Sequence, residues 1–217
     1  PEYLSALMEL KTDGIIVSDP GIFRIARKTV PDLPVHISTQ ANNTNWSSAL
    51  FWQEMGAKRI VLARELSLHD IKEIHRHSQI ELEVFVHGAM CISYSGRCLL
   101  SNYLAGRNAN KGDCAHPCRW NYSLVEEKRP GEYFPVIEDE RGTYIFNSKD
   151  LCMIEYIPQL IDAGIYSFKI EGRMKSSFYV ATVVSAYRKA IDAYMADPEN
   201  YRFNPEWLVE LSKASHR

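Results

Sequence analysis

The sequence predicts an α/β fold: a (β/α)8 barrel of the TIM type, incomplete at its N-terminus, with about six βα units and a cysteine-rich insertion after the fourth strand. Three observations predict it. Short apolar runs alternate with amphipathic helical stretches, the pattern of βαβ units around a parallel sheet. Nearly every run ends in polar or charged side chains, and barrel enzymes build their sites on that face. The chain has 217 residues, whereas eight such units take about 250. An open doubly wound sheet is the alternative that six parallel strands also permit.

The elements follow in order. Residues 2–10 read as a helix with no strand before it. Residues 14–17 form an apolar run ending in Ser18 and Asp19, and Pro20 opens a helix to residue 27. Residues 35–37 end in Ser38, Thr39 and Gln40, and a helix spans 42–55, closed by Gly56. Residues 59–63 end in Arg64 and Glu65, and Ser67 caps a helix over 68–75. Residues 82–86 end in His87 and Gly88. The stretch 91–135, rich in Gly, Asn, Cys and Pro, is too long for an ordinary βα loop, and such insertions are usually functional. Residues 144–146 end in Asn147, Lys149 and Asp150, before a helix over 151–163 that Cys152 opens. Residues 166–170 end in Glu171 and Arg173, before a long helix from about 176 to 195. Residues 1–196 thus read as one partial barrel, and 197–217 as a linker with a short helix. The shortfall falls at the N-terminus, where Pro1 replaces an initiator Met. The expectation is that two units are absent and that a missing segment or a partner chain completes the barrel.

Composition narrows the function. The formal charge is −2, which argues against a module that binds nucleic acid by overall basicity but leaves room for a local patch. No apolar run approaches the ~20 residues of a membrane span, and no signal-peptide pattern opens the chain. Five cysteines, Cys91, Cys98, Cys114, Cys118 and Cys152, form an odd set without a secretory signal. That is not a disulfide framework, and the expected compartment is the reducing cytoplasm. Clustered thiols there read as metal ligands. Soft thiolates select zinc or an iron–sulfur cluster. Structural zinc prefers repeated close pairs, and only Cys114 and Cys118 are so spaced. A cluster tolerates irregular spacing, so it is the favoured group, with zinc the alternative.

The run Glu83-Val84-Phe85-Val86-His87-Gly88-Ala89-Met90-Cys91, with Ser95-Gly96-Arg97-Cys98-Leu99-Leu100-Ser101 after it, resembles the signature of peptidase family U-32, the collagenase-like proteins. The likeness extends through Gly112-Asp113-Cys114, Phe146-Asn147-Ser148-Lys149-Asp150-Leu151 and Phe168-Lys169-Ile170-Glu171-Gly172-Arg173-Met174-Lys175. The resemblance implies an oxygen-independent hydroxylation protein acting on a transfer or ribosomal RNA base, or on a quinone precursor. It implies a 4Fe-4S cluster held by Cys91, Cys98, Cys114 and Cys152, with Cys118 as a possible replacement. Prephenate is implied as the oxygen-donating co-substrate of the RNA-modifying members.

The strand-end residues then take roles. His87, Lys169, Glu171 and Arg173 are the candidate catalytic groups, and Arg64, Asn147, Lys149 and Asp150 the candidate cofactor-binding ones. Arg supplies a bidentate fork for carboxylate or phosphate. The plainer reading is ion pairing with Glu65, Glu171 and Asp150. Tyr94, Tyr103, Trp120 and Tyr122 suit a flat substrate, whereas Trp46, Phe51 and Trp52 have the spacing of core residues. The leading function is iron–sulfur-dependent hydroxylation of an RNA base. The runner-up is a collagenase-like peptidase, although no HExxH or GxSxG motif is present. A non-catalytic module stabilised by zinc or a cluster is third.

Overall fold

The structure is a computed structural model that describes residues 1–91, 93–120, 122–135, 150–173 and 175–214. Helix α1 (Glu2–Glu9) precedes strand β1 (Ile15–Val17), followed by α2 (Pro20–Thr29), β2 (Val35–Ile37), α3 (Trp46–Glu54), β3 (Arg59–Val61), α4 (Leu68–His77) and β4 (Glu81–Ala89). Helix α5 (Leu100–Ala105) and the short strands β5 (Ser123–Leu124) and β6 (Phe134–Pro135) come next. Strand β7 (Asp150–Cys152), α6 (Ile157–Asp162), β8 (Ser167–Glu171), α7 (Ser177–Ala196) and α8 (Glu206–Ser212) complete the order.

Strands β1, β2, β3 and β4 pair in parallel in chain order, and β8 joins β4 in parallel. β7 is antiparallel to the last residues of β4, placing Cys152 opposite His87. The fold is therefore mixed α/β with a parallel-rich sheet. Among the described residues β1 and β8 do not pair with each other. No helix among them is long and apolar enough to cross a membrane.

The sheet has two unlike faces because side chains alternate along a strand. Val35, Ile37, Leu82, Val84 and Val86 enter the core with Phe23 and Ala26 of α2, Ile71 and Ile74 of α4, and Tyr179, Val183, Tyr187 and Ala190 of α7. The last set recurs at helical spacing, which is how α7 presents one apolar stripe. The intervening residues, His36, Arg59, Glu81, Glu83 and Phe85, fall on the other face. Capping fixes the helix starts. The Asp19 side chain accepts from Ile22 N–H at 2.8 Å, and Ser67 with Asp70 forms a capping box at α4.

Three expectations change. The helix expected over 42–55 begins only at Trp46, after a 3₁₀ turn at Thr39–Ala41 and a left-handed Asn42. Asn45 accepts from Ser48 N–H at 2.9 Å, the local bonding by which Asn competes with helix and favours a cap. The helix expected over 151–163 is instead β7, a 3₁₀ turn at Ile154–Tyr156, and α6. Pro158 lacks an N–H and its ring clashes with the carbonyl four residues back, so regular α-helix cannot run through residues 154–157 and α6 begins only one residue before the proline. Cys152 thus ends a strand and does not open a helix. Of the aromatic trio, Trp52 is buried against Phe23 at 5.3 Å, while Trp46 and Phe51 stay exposed. The strand expected at 144–146, with Asn147 and Lys149, lies outside the described residues.

Candidate functional site

The segment after β4 folds back over the ends of the strands, and side chains at those ends hold it. The Glu65 carboxylate accepts from Ser95 N–H at 2.6 Å and from its hydroxyl at 3.3 Å. Thr39 donates to Leu62 O at 3.0 Å and also meets Ser95 at 3.3 Å. Gln40 Nε2 donates to Ala109 O at 2.6 Å. Gly96 has φ +75°, and a Cβ there would collide with the Gln40 carbonyl, so only glycine permits this approach. From β8, the Arg173 guanidinium donates to the carbonyls of Gly112 and Cys114. Asn110 clasps Cys98 on both sides, accepting from its N–H at 3.1 Å and donating to its carbonyl at 2.9 Å.

The result is a cavity of about 260 Å³ lined by Cys91, Cys98, Cys114 and Cys118 together with Arg64, Lys169, Glu171 and Arg173. Cys98 and Cys118 are buried, Cys91 and Cys114 half-buried, and Cys152 exposed. Burial pushes the Cys91 thiol up, and the sulfurs of Cys98 and Cys114 act in the same direction. Among the described residues no three Cys, His, Asp or Glu side chains stand close enough to share a metal ion in this arrangement. The donor chemistry nevertheless suits a thiolate-bound group, because four soft sulfur side chains border one cavity that Arg64, Lys169 and Arg173 also line. Cys152 does not line that cavity. It sits two residues beyond Asp150, whose carboxylate meets Arg119 at 2.6 Å and Lys175 at 3.7 Å. Asp150 thereby ties the turn bearing Cys118 to the strand bearing Cys152.

Lys169 reaches the cavity from β8. Its ammonium pairs with Glu83 at 2.9 Å and lies 5.7 Å from the centre of the Phe85 ring. Arg64 lies 5.2 Å from the same ring. Glu83 also accepts from Arg59 at 3.1 Å and Ser167 at 2.9 Å. Burial pushes the Glu83 carboxyl up, but Lys169, Ser167 and Arg59 outweigh it and hold the group below its ordinary value. Glu83 thus stays anionic and fixes the Lys169 ammonium at the cavity floor.

His87 is placed differently. It is buried at the β4–α7 contact, with Nδ1 3.3 Å from the Tyr187 hydroxyl. That hydroxyl spends its one proton on Val86 O at 2.7 Å and accepts from Met153 N–H at 2.9 Å, so His87 Nδ1 is the donor toward it. Burial drives the Tyr187 phenol far above its ordinary value. Glu171 lines the cavity and accepts from Arg173 N–H at 3.0 Å. Sequence reasoning did not single out Asn110, Glu83 or Arg119 as site residues. For Glu83 the signal was a carboxylate inside an otherwise apolar strand, and for Arg119 its position beside Cys118.

The model of Peptidase family U32 matches residues 1–217. A tRNA hydroxylation protein P1 of Bacillus subtilis is 49% identical over 216 residues, all of this chain and 51% of that protein. The tRNA hydroxylation protein P of Escherichia coli is 40% identical over 254 residues, 99% of this chain and 55% of that protein. A 23S rRNA 5-hydroxycytidine synthase of Escherichia coli is 37% identical over 194 residues, 89% of this chain and 28% of that protein. The chain spans about half the length of the first two of these relatives. With that family model matched from end to end and relatives of this identity, the chain belongs to peptidase family U32.

Proposed function

We propose that this chain is the cluster-bearing part of an enzyme that hydroxylates an RNA base without molecular oxygen. The observation that carries the reading is the single cavity at the strand ends, bordered by four cysteines and by Arg64, Lys169 and Arg173. The names of the RNA-hydroxylating relatives support the substrate class. Cys91, Cys98 and Cys114 would hold a 4Fe-4S cluster, with Cys152 as the fourth ligand that the family resemblance implies and Cys118, which lines the cavity, the alternative. When bound, such a cluster supplies one-electron redox chemistry or an open iron site.

The chain's own residues do the positioning. Arg64 and Lys169 flank the Phe85 ring and place two cations at the cavity wall. They suit the carboxylates of a small dianionic co-substrate such as prephenate. Arg173, committed to the carbonyls of Gly112 and Cys114, would hold the cysteine segment at the cavity. Its role is positioning. The sheet itself is proposed to be part of a (β/α)8 barrel, because its parallel strands run in chain order with a helix between successive strands. The remaining units would come from elsewhere in the protein or from a partner, and the setting would be the cytoplasm.

The test is a reaction under strict anaerobiosis with full-length protein, undermodified tRNA or rRNA and prephenate. Mass spectrometry of the digested nucleosides should show one base gaining a single oxygen atom. Failure to gain oxygen on any RNA by protein loaded with iron and sulfide would refute the reading.

A further inference from the structure

We propose that the outer face of the cysteine-rich segment is a stacking platform for unpaired RNA bases, built from Tyr94, Tyr103 and Trp120 with Arg97 and Lys111. The inference rests on the RNA reading above and names the surface that holds that partner.

One of the three rings lines the cavity, the other two stand close in sequence to lining residues, and all three are exposed. Tyr94 lines the cavity and is 69% exposed. Tyr103 is 86% exposed and stands three residues after Leu100, which lines the cavity. Residues so spaced are neighbours on a helix. Trp120 is 46% exposed and directly follows the cavity-lining Arg119. Its plane is fixed by stacking on Tyr122, with centroids 6.5 Å apart and 23° between planes. The Tyr122 hydroxyl in turn donates to Pro117 O at 2.8 Å. Large rings left in water forgo burial that would stabilise the fold, so a group of them on one segment marks an interaction surface.

Charge selects the partner. Residues 91–120 carry Arg97, Arg107, Lys111 and Arg119 against Asp113 alone, a net of +3 in a chain whose formal charge is −2. Arg107 pairs with Asp113 at 2.6 Å and Arg119 with Asp150 at 2.6 Å. Arg97 and Lys111 are exposed and form no ion pair among the described residues. Cations interleaved with flat rings fit a polyanion that also offers π faces, which is single-stranded nucleic acid. In a duplex the bases already stack on one another, so the rings favour an unpaired stretch of RNA.

The experiment uses full-length protein isolated anaerobically, with anisotropy of a labelled unstructured oligoribonucleotide and of an RNA duplex of equal length. Tyr103→Ala and Trp120→Ala should each weaken the single strand on the order of 10-fold, while Tyr103→Phe keeps the affinity. Arg97→Gln and Lys111→Gln should each lower the slope of log affinity against log salt by about one. The wild-type melting temperature should be kept in the Tyr103 and Arg97 variants, whose side chains are exposed. Unchanged affinity in both ring variants, with wild-type RNA binding intact, would overturn the platform and leave the RNA reading standing. Equal affinity for duplex and single strand would overturn it too. Absence of binding to any RNA by the wild type would sink both. Tight binding of a polyglutamate peptide that competes with RNA and ignores the ring variants would assign the surface to an acidic protein.

Discussion

Glu83 shows how one side chain links the sheet to the site. It is a buried carboxylate that takes Lys169, Arg59 and Ser167 at hydrogen-bonding distance. Removing one partner of a buried pair strands the other charges, so Glu83→Gln should destabilise by about 3 kcal/mol, read from the urea midpoint. Its pH dependence has a definite sign. The folded-state carboxyl lies below its ordinary value, so its contribution is present above about pH 4.3, the ordinary glutamate value. It is lost as pH falls through the lower folded value. His36 adds a slope of the same direction at higher pH. Burial, and then Arg59, hold its ring below the ordinary histidine value, so the unfolded chain binds the extra proton first as pH drops below about 6.5. Stability against pH should therefore fall on the acid side in two stages, and Glu83→Gln should flatten the lower one while deepening the upper, because the Glu83 carboxylate works to raise His36. An unchanged lower stage would mean that Glu83 is not the anion the contacts imply.

At the scale of elements, the contact between β4, β7 and α7 is joined by one hydroxyl. Tyr187 donates to Val86 O and accepts from Met153 N–H. Tyr187→Phe should cost about 1 kcal/mol, because it removes the hydroxyl's bonds while Met153 N–H still donates to Val86 O at 3.0 Å. The cysteine segment offers a sharper contrast. Cys118 is buried and packs the turn that Tyr122 bonds, whereas Cys152 is exposed at the end of β7. An exposed thiol has no packing role, and a buried one behaves as a small hydrophobe. Changing Cys91, Cys98, Cys114 or Cys152 to Ala should each remove most of the iron, and Cys118→Ala should mainly loosen the segment. Iron retained by Cys152→Ala and lost by Cys118→Ala would exchange their roles. This is also where the sequence was legible and where it was not. Short apolar runs ending in polar residues located β1 to β4 and β8, because these strands are largely covered on both faces. Ser67 and Pro20 marked helix starts because such signals are local. Cys152 was misplaced onto a helix because Pro158 outweighs the apolar pattern around it. His87 read as a site group because it ends an apolar run, yet its register against Cys152 and its packing on α7 turn it into the core. Such packing depends on residues a hundred positions away, which no local pattern contains.

At the scale of the whole molecule, the account requires the described sheet to be part of something larger. Ile16 is 53% exposed on β1, and Tyr166 is exposed just before β8. Unpaired strand edges recruit other strands, so the 217-residue chain on its own should self-associate as its concentration rises. Sedimentation velocity checks this, and a strictly monomeric chain at high concentration would count against an open sheet. The cavity, its cations and its rings all take their meaning from what the cysteines hold. The most direct measurement is therefore iron, acid-labile sulfide and zinc analysis of protein isolated without oxygen, with its absorption spectrum. The account predicts a brown protein with iron and sulfide in equal amounts and a broad band near ~400 nm, as for thiolate-bound clusters. A colourless protein with one zinc per chain and no sulfide would contradict it.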